Sequence, residues 1–326
     1  MAMTTHFIDN QRIKGSSGES IPVLDPSAGQ VFAHLARGNA EDIRKAVHRH
    51  GLWTRGRTIL GRRLGIDHIS VTGSARVGTI IAQSAAKRHI PVTLELGGKR
   101  PQIVFADANL DDAIPVIVNA IIQNAGQTCS AGSRLLVEAS VYERVLEAVG
   151  QRIKALKVGL AAMDLDVGPL IRANQMERVN GFLREAEKAN LRTIAQGSIA
   201  AEAPATGFYA KPTLIADVPT DATLAQDEVF GLVLAAMSFK DEADAVRLAN
   251  ATEYGLVAGI WTENGSRGLR MARAVKSGQV FVNNYGAGGG IELPFGGVKS
   301  SGYGREKGFE ALYGFSVMKT VVVKYG

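Results

Sequence analysis

The chain has 326 residues, of which 46% are hydrophobic and 21% charged, and a formal net charge of +6. That is enough apolar material for a large soluble core, and no stretch approaches the ~18 consecutive apolar residues that a bilayer span requires. Lys and Arg are mixed with Asp and Glu, without a basic run or an aromatic platform, which argues against a nucleic-acid partner. The single cysteine excludes an internal disulfide and a cysteine-based metal cluster. With Met1-Ala2-Met3-Thr4-Thr5-His6 lacking an apolar signal core, the expectation is a cytoplasmic protein.

In chain order, a turn-rich opening leads into Asn39-Ala40-Glu41-Asp42-Ile43, which reads as a capped helix start with an acidic first turn. The first 60 residues read as a small α/β arm. Residues 66–72 read as a strand, 73–78 as a turn, 79–89 as a helix and 92–96 as a second strand, together one βαβ unit. Strands follow at 102–105, 135–137, 233–237, 256–261 and 280–282. Helices are expected at 111–124, 141–156 and 177–189. This alternation predicts an α/β fold with a largely parallel sheet.

Five segments carry candidate chemistry. Asn124-Ala125-Gly126-Gln127-Thr128-Cys129-Ser130-Ala131-Gly132 sets the only thiol on a Gly-flanked loop after a helix. Lone cysteines are commonly inert core residues, but a polar loop with free amides suits a reactive thiolate, whose pKa is expected to be lowered. Leu94-Glu95-Leu96-Gly97-Gly98-Lys99 ends a strand with a carboxylate beside a Gly pair, where a base has room to activate water. Gly73-Ser74-Ala75-Arg76-Val77-Gly78 links a strand to a helix start, a place that receives phosphate. Gln226-Asp227-Glu228-Val229-Phe230-Gly231 and Pro294-Phe295-Gly296-Gly297-Val298-Lys299-Ser300-Ser301-Gly302 read singly as turns, and residues 286–290 as a flexible connection.

Taken together and in this order, Gly73-Ser74 with Gly78, Glu95-Leu96-Gly97-Gly98-Lys99, Gly126-Gln127-Thr128-Cys129, Glu228-Val229-Phe230-Gly231 and Pro294-Phe295-Gly296-Gly297 resemble the NAD(P)-dependent aldehyde dehydrogenase superfamily. The resemblance runs from Ile66 to the C-terminus, and the first 60 residues are similar to the family's N-terminal arm. It implies an aldehyde-dehydrogenase-like α/β fold with a curtailed Rossmann-type cofactor domain. It divides the chain into an arm with residual cofactor domain (1–97), a catalytic domain (98–297) and a C-terminal return with an oligomerisation strand (298–326).

The same resemblance implies an oxidoreductase that converts an aldehyde to a carboxylic acid with NAD or NADP. In it Cys129 is the nucleophile, Glu95 is the base that activates water, and the Cys129 N–H is one oxyanion donor. Gly73, Ser74, Gly78, Leu96, Gly97, Glu228 and Phe230 fall at cofactor-binding positions, with Glu228 on the nicotinamide ribose. It also implies a homo-oligomer, no metal and no membrane partner.

Two positions depart from the family pattern. Leu232 stands where the family commonly has Pro, a change of loop stiffness. Roughly 150 residues, about one average domain, are missing between Arg63 and Ile66. With them go a Pro-Trp-Asn segment holding the second oxyanion donor and a Lys-Pro-Ser-Glu segment that binds the adenine ribose. Asn124 and Asn283 are the candidates to replace that donor. The expected consequences are weak dinucleotide affinity, exposed apolar faces on residues 66–71 and 92–96, and an unpartnered strand at Thr320-Val321-Val322-Val323-Lys324. A cofactor-independent thiol esterase and a non-catalytic binding partner remain open beside the dehydrogenase.

Overall fold

A computed structural model describes residues 5–8, 11–39, 41–42, 66–286 and 290–326. The chain folds around a seven-stranded sheet in the order Arg192–Gln196, Thr213–Ala216, Val233–Phe239, Arg134–Glu138, Pro101–Val104, Val257–Trp261, Gln279–Val282. Only the first neighbouring pair is antiparallel; the other five run parallel. The sequence reading missed both strands of that antiparallel pair. The continuous apolar runs of the central strands follow from burial on both faces. Ile103, Leu136 and Ala235 face one apolar layer, and Val104, Leu135, Val137 and Leu234 face the other.

Amphipathic helices cover the sheet. Leu110–Ile122 starts at Asn109, whose side chain accepts the Asp111 N–H, and Asp111 and Asp112 favour the helix start electrostatically. Together with Tyr142–Ala155 it buries Ile114, Ile117, Val145 and Val149. On the opposite layer lie Ala173–Lys188, Glu242–Asn250 and Gly265–Ala274.

A second sheet has three strands. Ile69–Thr72 pairs in parallel with Val92–Glu95, which pairs antiparallel with Gly302–Tyr303. Here the period-2 alternation of a strand separates two kinds of chemistry. Val71 and Leu94, in register, face the helix Ala75–Ala86 and join Ile69, Ile81 and Leu96 in a small core. Ser70 and Thr93 face the other way, toward the C-terminal return: Ser70 donates to Glu306 (2.5 Å), and Gly304 sits against Thr93. The expectation of exposed apolar faces is thereby corrected, since Ile69, Val71, Leu94 and Leu96 are all buried. Ile69–Thr72 nevertheless has a strand neighbour on one side only among the described residues.

Of the α/β arm read from the sequence, the described residues show the β part and the start of a helix at residues 41–42. Up to residue 39 its described residues form two hairpins, Thr5–Ile8 with Gln11–Lys14 and Ser20–Asp25 with Gln30–Ala36. Short segments divided by turn residues favour hairpins, and Gly29 turns with φ 69°. That second turn docks on the large sheet's layer, where Phe208 N–H donates to Pro26 O (3.0 Å) and Tyr209 OH to Ser27 O (2.8 Å). Asn39 caps as expected, accepting from Glu41 and Asp42 N–H; residues 43–65 and 287–289 lie outside the described residues. Residues 320–324 form no strand, and Val321 and Val322 are exposed, because an extended segment needs a partner edge to become one.

One buried cation ties the sheet to the helices. Arg134 is 2% exposed and donates to the carbonyls of Lys99 (2.9 Å), Leu248 (2.8 Å) and Ala249 (2.8 Å). Arg134→Met removes these three hydrogen bonds, although Leu248 O still accepts from Ala251 N–H (3.2 Å), and is expected to cost about 3 kcal/mol. Urea unfolding followed by far-UV circular dichroism checks this, and an unchanged midpoint refutes it.

Candidate active site

The thiol is positioned by strained backbone. After Leu110–Ile122 ends, Asn124, Ala125 and Gly126 all take positive φ (51°, 55°, 71°), reversing the chain within one turn. Gly126 is required there, since a Cβ on it would lie 2.4 Å from the Gly231 carbonyl carbon and oxygen. The following turn, closed by Ala131 N–H to Thr128 O (3.1 Å), presents Cys129 half-buried beside Leu256, Val257 and Phe295. Tyr285 packs in the same cluster and donates its hydroxyl to Ser130 O (2.7 Å).

This setting is more apolar than the loop's sequence suggests, and the expected lowering of the thiol pKa is corrected. Burial pushes the Cys129 thiol up; the Arg100 charge opposes this, while Glu95 and Glu228 reinforce it. The anionic thiolate must be drawn out against desolvation, so the neighbouring charges decide its reactivity.

Glu95 ends its strand 2% exposed, and neither carboxylate oxygen has a hydrogen-bond partner. Burial raises it to about 8, with Glu306 adding to the shift and Arg305 opposing it. Gly296 leaves the space this carboxylate occupies, since a Cβ there would be 2.8 Å from Oε1. The Glu95 backbone is fixed by Gly73 N–H (3.0 Å) and by register with Gly302. Ser301, fully buried, donates to Gly97 O (2.7 Å) and accepts from Gly255 N–H (3.0 Å), tying the loop after Glu95 to the large sheet.

Glu228 is not free. Its Oε1 accepts from Gly98 N–H (3.0 Å) and from Arg100 Nη2 (2.8 Å), and its other oxygen lies 2.2 Å from where a Gly97 Cβ would be. Beneath it the Lys99 Nζ is buried without a partner and is lowered to about 7, by burial first and then by Arg134 and Arg100. Arg100, Lys99, Tyr285 and Ser301 were not singled out by the sequence reading. Arg100 directly follows the quoted Gly-Gly-Lys motif, which is the only sequence signal it gives.

Gly73 and Ser74 lie at the start of the helix Ala75–Ala86, with Ser74 as N-cap accepting from Val77 N–H (3.4 Å) and no acidic residue in the first turn. Gly78 lets this helix touch Leu96, since its Cβ would stand 2.6 Å from a Leu96 methyl. The Leu96 side chain is in the core, so it offers a ligand only its backbone. Phe230 takes φ 57° and lines a cleft of about 610 Å³ with Asp25, Asn124 and Gln127, beside the N-terminal turn. Asn124 and Asn283 are committed elsewhere: Asn124 donates to Gln127 O (2.9 Å) and Asn283 to Thr262 O (2.9 Å). Among the described residues no group of three or more His, Cys, Asp or Glu is placed to hold a metal ion.

The helix start at Ser74 carries no acidic residue in its first turn, and at Gly97 no side chain stands between the backbone and the Glu228 carboxylate, two features compatible with an anionic dinucleotide.

The profile of the aldehyde dehydrogenase family matches residues 55–321. An aldehyde dehydrogenase of Emericella nidulans is 40% identical over 269 residues, covering 82% of this chain and 53% of the relative. The chain spans about half the length of the curated relatives it matches. A crystal structure from Burkholderia cenocepacia, assigned by its name to the aldehyde dehydrogenases, superposes with a TM-score of 0.93 at 39% identity, covering 99% of this chain and 100% of that one. The betaine aldehyde dehydrogenase of Staphylococcus aureus in complex with NAD+ superposes with a TM-score of 0.75 at 30% identity, covering 86% of this chain and 53% of that one. With the ordered motifs, the two-sheet α/β architecture and these matches agreeing, the chain belongs to the aldehyde dehydrogenase family.

Proposed function

We propose that this chain carries the family's thiol chemistry, the oxidation of an aldehyde to a carboxylic acid, with Cys129 as nucleophile and Glu95 as the base for hydrolysis. The observation that supports it most is a half-buried thiol whose electrostatic surroundings include Glu95, a buried carboxyl without a hydrogen-bond partner. Cys129 Sγ adds to the aldehyde carbon, and the resulting thiohemiacetal is oxidised by two electrons to a thioester. Glu95 takes a proton from water, whose oxygen attacks the thioester carbon and releases the acid and the thiol. NAD or NADP, when bound, supplies the acceptor for the two electrons. Gly73, Ser74, Gly78, Gly97 and Glu228 hold it in this reading, with Leu96 contributing backbone and Phe230 packing at the edge.

The division into residues 1–97, 98–297 and 298–326 is part of the same reading, as is a missing internal segment between Arg63 and Ile66. The docking of the N-terminal turn on Phe208 and Tyr209 supports an arm that belongs to the same body as the thiol loop. A second copy of the chain is the proposed partner for the exposed C-terminal segment. No described helix is long and apolar enough to cross a membrane, and the lone free cysteine supports a cytoplasmic setting.

The purified chain, given a simple aldehyde with NAD or NADP and, separately, a nitrophenyl ester, tests this. Ester turnover that iodoacetamide abolishes is expected. NAD(P)H formation is expected to be slow, because loss of one oxyanion donor typically costs about a hundredfold to a thousandfold. No product from either substrate overturns the thiol reading. Micromolar cofactor binding by calorimetry with turnover of roughly one per second or faster overturns the missing segment's importance.

A further inference from the structure

The residue that the proposed function leaves without a role is Arg100. Its side chain is 2% exposed, and Glu228 is its ion-pair partner. Resting on the reading of Cys129 as nucleophile, we infer that Arg100 is a positioning residue of this site. It clamps the Glu228 carboxylate against Gly97 and Gly98 and supplies the positive charge that offsets Glu228 in the electrostatic surroundings of Cys129.

The geometry is a closed clamp. Arg100 Nη1 donates to Gly98 O (2.6 Å), Nη2 donates to Glu228 Oε1 (2.8 Å), and the same oxygen accepts the Gly98 N–H (3.0 Å). Gly98 makes this possible, since a Cβ there would stand 2.6 Å from Arg100 Nε. Nε itself is buried with no partner. A guanidinium that forgoes one of its hydrogen bonds in the interior is not optimised for stability alone.

The charged and titratable groups acting on Cys129 are Arg100, Glu95 and Glu228, with Tyr285 coupled to the thiol from the other side. Without Arg100 the charged side chains acting on the thiol are Glu95 and Glu228, both of which oppose a thiolate. The other buried cations are no substitute: Arg134 spends its hydrogen bonds on three backbone carbonyls, and Lys99 is drawn toward neutrality. A guanidinium keeps its charge across the working pH range. Arg178, Asp227 and Tyr254 surround Glu228 from farther out; Arg178 donates to the Glu228 backbone carbonyl (2.6 Å) and leaves the carboxylate to Arg100.

Cys129 is the only thiol in the chain, so the pH dependence of iodoacetamide labelling reads it directly. Arg100→Met is expected to move the labelling midpoint up by about one pH unit, a roughly tenfold slower reaction at pH 7. Arg100→Lys is expected to keep most of the native rate. Glu228→Gln removes the anion and leaves the cation, so its midpoint moves down. The double variant Arg100→Met with Glu228→Gln returns toward the parent. A clamp that served only to hold the fold gives Arg100→Met and Glu228→Gln the same direction of change. The inference is overturned if Glu228→Gln raises the midpoint, or if Arg100→Met leaves it unmoved with native near-UV circular dichroism. Should Arg100→Met not fold, Glu228→Gln and Arg100→Lys decide by the same criteria. If even the parent chain labels no faster than a buried thiol, the nucleophile assignment itself fails, an outcome distinct from a reactive thiol with unshifted midpoints.

Discussion

Cys129→Ser is expected to lower thiol-dependent turnover of a nitrophenyl ester by about a thousandfold or more. A hydroxyl in the same place has no partner able to ionise it. Glu95, raised to about 8, is largely protonated at neutral pH and accepts no hydrogen bond, so it is not set to activate a serine. The native thiol carries its own pH signature. Burial pushes it up, so labelling and acylation by the parent chain should climb through the alkaline range and not level off at neutrality. Stopped-flow acylation with the ester across pH tests both statements. Cys129→Ser retaining more than about a tenth of the parent rate, an effect far below that of losing a nucleophile, would remove Cys129 from the mechanism.

Glu95→Gln should affect a later step and, in the opposite sense, the stability of the fold. As the base that activates water, Glu95 works as the carboxylate, and at about 8 only half of it is ionised. Deacylation should therefore rise about tenfold per unit between pH 6 and 7 and flatten above 8. In Glu95→Gln that rise disappears while the acylation burst persists. Loss of the burst as well places Glu95 at an earlier step.

The stability consequence follows from linkage. An unfolded glutamate titrates near 4.5 and the folded one near 8, so between these values the native chain holds a proton that the unfolded chain has released. The native state is favoured fully below 4.5 and loses that advantage as pH rises through 8. The uncharged Glu95→Gln escapes the loss, and its melting temperature should exceed the parent's by a few degrees at pH 8.5 and little at pH 5. A parent chain whose stability does not fall between pH 5 and 8.5 relative to Glu95→Gln contradicts the buried, unpartnered state of this carboxyl.

Much of this was legible in the amino-acid order, for particular physical reasons. The strands at 101–104, 134–138, 233–239 and 257–261 announce themselves because both faces of a parallel sheet are buried, leaving continuous apolar runs. The Gly-flanked Cys129 loop and the Glu95 strand end are local signals, and their family resemblance rests on residues a few positions apart. Arg192–Gln196 escaped because an antiparallel edge strand, with Arg192, Thr193 and Gln196 exposed, lacks such a run, and Thr213–Ala216, although buried throughout, is only four residues long. The second N-terminal hairpin turns locally at Gly29, but its docking on Phe208 and Tyr209 is a long-range contact that no local stretch announces.

By itself, then, the sequence determined the α/β class and the family, and it singled out Cys129 and Glu95 as candidates, since each depends on residue type and spacing along the chain. Tertiary structure alone decided their chemical state. It buried Cys129 against Leu256, Val257 and Phe295, left Glu95 without a partner, and brought Arg100 across to a carboxylate 128 positions away. Desolvation and Coulomb energy depend on what surrounds a group in space, and no local stretch of sequence contains that information.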